Sequence, residues 1–114
     1  MYNYNAKVIS VYDGDTIRAN IDLGFGIHTH GNNGKGEALR LWGINTPEVR
    51  GEERPQGLIS RDRLRELILD KNIVVTTIKD SKGKYGRYLA IIYLDGVNIN
   101  EQLVAEGLAV FKEY

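Results

Sequence analysis

The chain has 114 residues, a formal net charge of zero and 42% hydrophobic residues. This length and apolar content predict one folded domain, residues 1–114, and exclude a disordered chain. The absence of cysteine excludes disulfides and thiolate metal sites. A neutral chain exerts little long-range attraction on polyanions, so binding of nucleic acid would require a local patch of positive charge.

The first part of the chain predicts a β-hairpin followed by a longer ribbon. Residues 6–12 and 16–23 alternate apolar and polar side chains, as half-buried strands do. Between them, the Asp-Gly-Asp segment 13–15 has the composition of a tight turn, and turn formation alone is its favoured explanation. Residues 24–30 predict a glycine-bent continuation of the second strand, and residues 31–36 predict a flexible tip.

Two histidines lie on the predicted ribbon. His28 and His30 would share one face of a strand, a spacing that resembles a two-ligand metal arm. The chain has no third histidine and no cysteine. We therefore favour solvated surface histidines at these positions.

Residues 37–42 predict a third strand that leads into a rigid corner. Gly43 interrupts the strand, and Pro47 holds Thr46 extended and lacks a backbone N–H, so regular strand pairing ends there. The corner presents a cation, an amide oxygen, a hydroxyl and a carboxylate: Arg40, Asn45, Thr46 and Glu48. By itself, this pattern fits an ordinary strand exit as well as a functional site.

The second half of the chain predicts helices and strands in alternation. Pro55 suits a first helical turn, and small and apolar side chains recur at helical spacing over residues 57–69. The predicted elements that follow are strands at 73–78 and 88–93, a helix capped by Asn98 and ended by Gly107, and a closing strand at 108–111.

Residues 79–87 form the one clearly cationic segment, with four basic residues and one acid. Arg87 stands at the entrance to the fifth predicted strand, with Tyr85 close by. Phosphate recognition commonly uses a fixed arginine beside a stacking ring. A solvated hairpin loop explains the same composition equally well.

The order of the elements predicts an α+β, mainly β fold. Five short strands, a helix between strands 3 and 4, and a C-terminal helix are the arrangement of a five-stranded OB-fold barrel. That fold frequently binds nucleic acids or sugars, but a fold alone does not establish chemistry.

The residue types at the corner suggest a metal site for phosphodiester chemistry. Asp15, Asn45 and the Thr46 backbone would supply only oxygen ligands, a set that suits a hard cation such as Ca²⁺. Arg40 and Arg87, each placed at the beginning of a strand, would clamp the phosphodiester oxygens as negative charge develops. A carboxylate nearby, Glu48, would accept a proton from an attacking water or orient it.

Four motifs carry a likeness to a known family, and together they cover almost the whole chain: residues 13–16, Arg40 with residues 45–48, residues 84–87, and residues 100–109. With these motifs in this order, the chain resembles the thermonuclease (staphylococcal nuclease-like) family. Gly24-Phe25-Gly26 in the lengthened ribbon resembles the short phage and bacterial members.

The resemblance implies an OB-fold enzyme that cleaves DNA and RNA with little sequence preference, uses one Ca²⁺ and releases 3′-phosphate ends. It implies Asp15 and the Thr46 carbonyl as metal ligands, and Arg40 and Arg87 as the catalytic arginines. Glu48 matches the carboxylate assigned as general base or as the group that orients water.

The resemblance also implies nucleotide contacts from Lys84 and Tyr85, which match positions that line the nucleotide pocket. Asn45 departs from the family, which usually has a second metal-binding aspartate at this position. The amide oxygen can still coordinate Ca²⁺, but the site loses a full negative charge, so we expect weaker Ca²⁺ binding.

Three functions are open at this point: a Ca²⁺-dependent nuclease, a non-catalytic OB-fold module that binds nucleic acid or protein, and a phosphodiesterase for small nucleotides. Degenerate family members typically lose the arginines and the glutamate. Arg40, Glu48 and Arg87 are all present, which favours the enzyme. Its expected substrate is single-stranded DNA or RNA, and no obligate protein partner is evident.

No apolar run approaches the roughly 20 residues of a membrane-spanning helix, so we expect no membrane association. The first five residues lack the basic and apolar segments of a signal peptide. We expect a cytoplasmic or phage-encoded protein by default, and a secreted one if a leader was removed.

Overall fold

The computed structural model of the chain describes residues 2–78 and 87–112. In chain order the elements are β1 (Asn3–Asp13), β2 (Thr16–Gly24), β3 (Ile27–Thr29), β4 (Glu37–Leu41), β5 (Ile44–Asn45), a 3-10 turn (Gly51–Glu53), α1 (Arg54–Ile68), β6 (Asn72–Thr77), β7 (Tyr88–Leu94), β8 (Val97–Asn98), α2 (Ile99–Ala105) and β9 (Val110–Phe111).

Five strands close into a mixed barrel in the order β1–β6–β7–β4–β2, because β2 also pairs with β1. Neighbouring strands are antiparallel, except for β4 and β7, which run parallel. Helix α1 connects the third barrel strand, β4, to the fourth, β6, and α2 follows the fifth. This arrangement confirms the predicted OB-fold.

Strand β1 is longer than the predicted residues 6–12 because it pairs with two neighbours, β6 and β2, and so closes the barrel. Its residues 3–7 pair with β6, and its residues 5–13 pair with β2. A register shift between Val8 and Ser10 interrupts the ladder with β2. Such an irregularity increases the local bend, which helps one strand serve two neighbours.

The core fills the barrel and extends under both helices. Inward side chains alternate with outward ones along the barrel strands, and these inward residues are fully buried: Val8, Ile17, Leu39, Val75 and Ile92. Helix α1 buries Gly57, Ser60, Leu64 and Ile68, as the helical spacing predicts. Helix α2 begins at the predicted cap, where the Asn98 side chain accepts the Glu101 N–H.

The predicted continuation of the second strand through residues 24–30 is wrong. The chain instead reverses at Phe25 and Gly26, and β3 folds back antiparallel on β2, with Ile21 opposite Thr29. Gly24, Phe25 and Gly26 all have positive φ, a backbone conformation that lets the chain reverse its direction in a tight turn. His28 on β3 and His30, which directly follows this strand, are both exposed, as expected for surface histidines.

A second, two-stranded sheet holds the predicted corner. Gly43 has a φ of +81°, and β5 then pairs antiparallel with β9, Asn45 lying opposite Val110. Strand β9 therefore holds the corner in a sheet that is separate from the barrel. No helix within the described residues is both long and apolar enough to cross a membrane.

Candidate active site

A cleft of about 910 Å³ opens where the β1–β2 turn, the corner after β4 and the segment after α2 meet. Its lining includes six of the eight residues predicted for the site: Asp15, Arg40, Asn45, Thr46, Glu48 and Arg87. The other two, Lys84 and Tyr85, lie outside the described residues. These six residues, which come from three separate stretches of sequence, thus share one cavity.

A two-residue turn, Gly14–Asp15, carries the first of these residues into the cleft. The Asp13 carboxylate accepts the Asp15 backbone N–H at 3.1 Å and stabilises the turn. A Cβ at Gly14 would lie 2.7 Å from Thr46 Cγ2 and 2.9 Å from Ser60 Cβ. The turn therefore packs directly against the corner and α1, and Asp15 is only 6% exposed.

The Asp15 carboxylate joins the turn to the corner. Its Oδ2 accepts the Thr46 backbone N–H at 3.1 Å and lies 3.2 Å from Arg40 Nη1. Its Oδ1 accepts the Thr16 hydroxyl at 3.4 Å. One buried carboxylate therefore contacts the guanidinium of β4, the backbone of the corner and the hydroxyl that begins β2.

Arg40 lies near the end of β4, so the prediction that it begins a strand is wrong. Pairing with β2 starts at Glu37, opposite Ala19, and brings Arg40 opposite Thr16. This register places the guanidinium beside the β1–β2 turn. Its Nη2 donates to Asn45 Oδ1 at 2.7 Å, and its Nη1 donates to the Leu41 carbonyl at 2.9 Å.

Arg87 immediately precedes β7, as the sequence predicts. Strands β4 and β7 are parallel neighbours, with Leu39 opposite Tyr88, so Arg87 and Arg40 reach the same cleft. Arg87 Nη1 donates to the Thr16 hydroxyl at 3.2 Å. Because that hydroxyl in turn donates to Asp15, Asp15 is linked to Arg40 directly and to Arg87 through one side chain.

Glu48 presents an exposed carboxylate at the cleft, after the corner has turned at Pro47. Its backbone N–H donates to Glu53 Oε2 at 3.3 Å. Gly57 of α1 lies against the backbone of this segment, and a Cβ there would collide with the Glu48 and Pro47 carbonyl oxygens. Helix α1 thus packs directly against the backbone segment that carries Glu48.

Asp13 is a cleft residue that the sequence reasoning assigned only to turn formation. It is 8% exposed. Burial raises its pKa from 3.8 to about 7, and the side chain and negative charge of Asp15 act in the same direction, whereas the backbone N–H groups of Asp15 and Thr16 oppose the rise. The second aspartate of the Asp-Gly-Asp segment could have indicated a functional role for Asp13, but a tight turn explains the same three residues.

Tyr12 and Arg50 also line the cleft and carried no signal in the sequence. Arg50 Nη2 donates to the Tyr12 hydroxyl at 2.8 Å, across 38 positions of the chain. The contact links the end of β1 to the loop before the 3-10 turn. Only the folded chain brings these two residues together.

The candidate metal ligands offer oxygen donors whose chemistry fits a hard cation. Asp15 Oδ2 and Asn45 Oδ1 both contact the Arg40 guanidinium, and the neighbouring Thr46 hydroxyl is buried without a hydrogen-bond partner. Among residues 2–78 and 87–112, no group of three histidine, aspartate or glutamate side chains could hold a metal ion. In the predicted ligand set, Asp15 contributes the single carboxylate.

Comparison with known proteins identifies the family of the chain. A family model described as staphylococcal nuclease homologue matches residues 38–114, which contain Arg40, the corner and Arg87. The chain belongs to this family. Asp15 lies outside the matched segment, and the β1–β2 turn brings it to the same cleft in this staphylococcal nuclease homologue.

Individual relatives extend the likeness over nearly the whole chain. It is 34% identical over 111 residues to a thermonuclease of Staphylococcus hyicus, covering 95% of the chain and 59% of that protein. It is 33% identical over 109 residues to the endonuclease YncB of Bacillus subtilis (strain 168), covering 92% and 46%. A thermonuclease of Staphylococcus intermedius is 31% identical over 107 residues, covering 91% and 57%. This homologue thus spans about half the length of these curated relatives.

Proposed function

We propose that the chain is a nuclease that hydrolyses single-stranded DNA and RNA with little sequence preference, requires Ca²⁺ and leaves 3′-phosphate ends. One observation carries the proposal. The Asp15 carboxylate contacts Arg40 directly and is linked to Arg87 through Thr16, in a cleft that Glu48 also lines. The relatives named thermonuclease and endonuclease support the same class of reaction.

The two arginines would stabilise the phosphorane-like transition state. Hydrolysis adds negative charge to the phosphate oxygens, and fixed guanidinium groups bind such charge without reorganising. Arg40 is held by three hydrogen-bond or ion-pair partners, and Arg87 is held by Thr16. Both cations are therefore oriented before a substrate arrives.

Glu48 is the group suited to act on the attacking water. In the proposed reaction the water oxygen bonds to phosphorus and the P–O5′ bond breaks. The hydroxyl of the water stays on phosphorus, so one fragment ends in a 3′-phosphate, and the released 5′-oxygen becomes a hydroxyl by taking up a proton from solvent, which replaces the second proton of the water. The Glu48 carboxylate would accept or orient that proton, and its exposed position leaves room for both water and substrate.

Asp15, Asn45 and the Thr46 carbonyl would hold the Ca²⁺. A bound Ca²⁺ would supply positive charge beside the phosphate oxygens. Since Asn45 contributes no charge, we propose that the ion binds weakly alone and more tightly together with the substrate phosphate. Arg40 competes for the same two side chains, which lowers affinity for the free ion further.

The test incubates the purified protein with labelled single-stranded DNA and RNA, in Ca²⁺ or in EDTA, and determines the chemistry of the product ends. We expect cleavage in Ca²⁺ with 3′-phosphate ends, and its loss in Glu48→Gln. Glu101→Gln provides the matched control, because it removes the same charge and Glu101 is exposed on α2 and does not line the cleft.

Three other outcomes would contradict the proposal. Intact polymer that binds the protein would show a non-catalytic binding module. Cleavage of dinucleotides with intact polymer would show a phosphodiesterase for small nucleotides. Equal cleavage in EDTA would overturn the Ca²⁺ requirement alone.

A further inference from the structure

A second groove, of about 760 Å³, adjoins the candidate cleft. We call it the basic groove, because five arginines line it: Arg18, Arg54, Arg61, Arg65 and Arg87. Glu37 is the one acidic residue among its described lining. The groove and the cleft share Tyr12, Thr16 and Arg87, so one surface continues into the other.

Three of these arginines are held by neutral partners. Arg18 donates to the Gly36 carbonyl at 3.0 Å, Arg54 to the Val49 carbonyl at 2.9 Å, and Arg65 to the Val11 carbonyl at 3.0 Å. A carbonyl orients a guanidinium but does not cancel its charge. None of the three forms an ion pair within residues 2–78 and 87–112.

The basic groove is therefore a local concentration of positive charge on a chain whose net charge is zero. Of its arginines, Arg61 is paired with an acid, Asp62, at 2.9 Å. Each guanidinium has five N–H donors, and a bond to one carbonyl leaves donors for an anion. The groove thus has the charge and the hydrogen-bond donors that a row of phosphates requires.

An aromatic side chain stands where the basic groove meets the cleft. Tyr12 is 52% exposed, and its hydroxyl is held by Arg50 at 2.8 Å. A charged groove combined with an exposed ring is the arrangement with which proteins bind single strands, whose bases are free to stack. A duplex would keep its bases stacked on one another.

We propose that the basic groove binds the backbone of a single-stranded polynucleotide as it leaves the cleft, with Tyr12 stacking on a base at the junction. The proposal rests on the proposed function, which places the scissile phosphate in the cleft. Continuity of the two surfaces selects this occupant, since one strand carries phosphates at regular intervals through both. The groove would then favour polymers over dinucleotides.

The test compares Arg18→Gln/Arg54→Gln with Lys7→Gln/Lys71→Gln, a double variant of equal charge whose lysines are exposed and line neither surface. Binding of a long oligothymidylate and of a thymidine dinucleotide is measured by fluorescence anisotropy, in Ca²⁺ and in a Glu48→Gln background that keeps the ligand intact. Tyr12→Leu and Tyr12→Phe test the ring independently of the charges.

We expect the arginine variant to bind the long oligonucleotide about tenfold more weakly, and the slope of log K against log salt to fall by roughly 1.4 for two lost phosphate contacts. Dinucleotide affinity should not change. Tyr12→Leu should weaken long-strand binding by about tenfold, whereas Tyr12→Phe keeps the stacking ring.

Equal losses in the lysine variant, equal losses for the dinucleotide, or equal competition by polyglutamate would each overturn the proposal. Failure of the proposed function gives a different result. Wild-type protein that leaves DNA intact in Ca²⁺, but whose strand binding still depends on Arg18 and Arg54, would refute hydrolysis and support the basic groove.

Discussion

Arg40 Nη2 donates a 2.7 Å hydrogen bond to Asn45 Oδ1, across the turn at Gly43. The same guanidinium lies 3.2 Å from Asp15 through Nη1. One cation thus joins the amide of the corner to the carboxylate of the β1–β2 turn. Both side chains are proposed metal ligands, so a metal ion must compete with Arg40 for their oxygens.

Asn45→Asp should bind Ca²⁺ about tenfold or more tightly than the natural chain in the absence of substrate. The change restores a second carboxylate, and Ca²⁺ affinity rises with the charge of its ligands. Isothermal titration calorimetry measures the dissociation constant directly. Asn45→Ala is the control and should bind more weakly than the natural chain. An unchanged constant in Asn45→Asp would show that this side chain does not contact the ion.

Arg87→Lys should lower kcat by about 100-fold or more and change the melting temperature little. Lysine keeps the positive charge but cannot bond Thr16 and a phosphate oxygen with one planar group. Steady-state hydrolysis of single-stranded DNA gives the rate. Arg63→Lys is the matched control, because Arg63 pairs with Glu106 and lines neither the cleft nor the basic groove. Similar kcat values in Arg87→Lys and Arg63→Lys would show that the Arg87 guanidinium is not required for catalysis.

Asp13→Asn should remove part of the pH dependence of stability. The pKa of Asp13 is raised from 3.8 to about 7 on folding, so the folded chain keeps a proton that the unfolded chain releases. Stability therefore falls as pH rises from about 4 to 7, by at most about 4 kcal/mol from this group.

Urea unfolding in EDTA, at several pH values, measures this effect. Asparagine cannot ionise and keeps an oxygen that can accept the Asp15 N–H. The difference in unfolding free energy between Asp13→Asn and the natural chain should therefore grow in favour of the variant across this interval. A constant difference would show that Asp13 is ionised in the folded chain throughout.

Gly57→Ala should destabilise the chain, although alanine is usually the better helix former by about 1 kcal/mol. The added Cβ would collide with the backbone carbonyls of Pro47 and Glu48, and backbone cannot move as freely as a side-chain tip. We expect a net loss of about 1–3 kcal/mol in urea unfolding and a lower kcat, because Glu48 is displaced. A stabilised variant would mean that the two segments separate without cost.

Asn100→Leu should cost about 2–4 kcal/mol of unfolding free energy. The buried Asn100 side chain accepts the Ile92 N–H at 3.1 Å and donates to the Trp42 and Ala90 carbonyls at 2.9 and 3.1 Å. Leucine of similar size would leave these backbone groups with fewer partners in the interior. Asn98→Ala, which removes only the α2 cap, should cost about 1 kcal/mol. Equal losses would contradict a special role for the buried amide.

Much of the fold could be predicted because its signals are local. Alternating side chains predict the barrel strands, the spacing of Gly57, Ser60 and Leu64 predicts α1, and Asn98 predicts the start of α2. These patterns depend on backbone geometry over a few residues, so they survive without knowledge of the rest of the chain.

Pairing between strands is where local signals failed. The sequence predicts a continuing, glycine-bent strand where the chain reverses at Phe25, because glycines permit either a bend or a turn. The register of β4 with β2 places Arg40 opposite Thr16 and so beside the β1–β2 turn, and no nearby residue specifies this register.

The sequence by itself determined which chemical groups the chain carries: oxygen donors at Asp15 and Asn45, two candidate phosphate-binding arginines, and one carboxylate at Glu48. Only the tertiary structure decided where these groups lie relative to one another. Barrel closure buries Asp13 beside Asp15, places Arg40 between the proposed metal ligands, and gathers arginines from β2 and α1 into the basic groove. Such contacts join residues far apart in sequence, and the free energy that selects them comes from packing of the whole core.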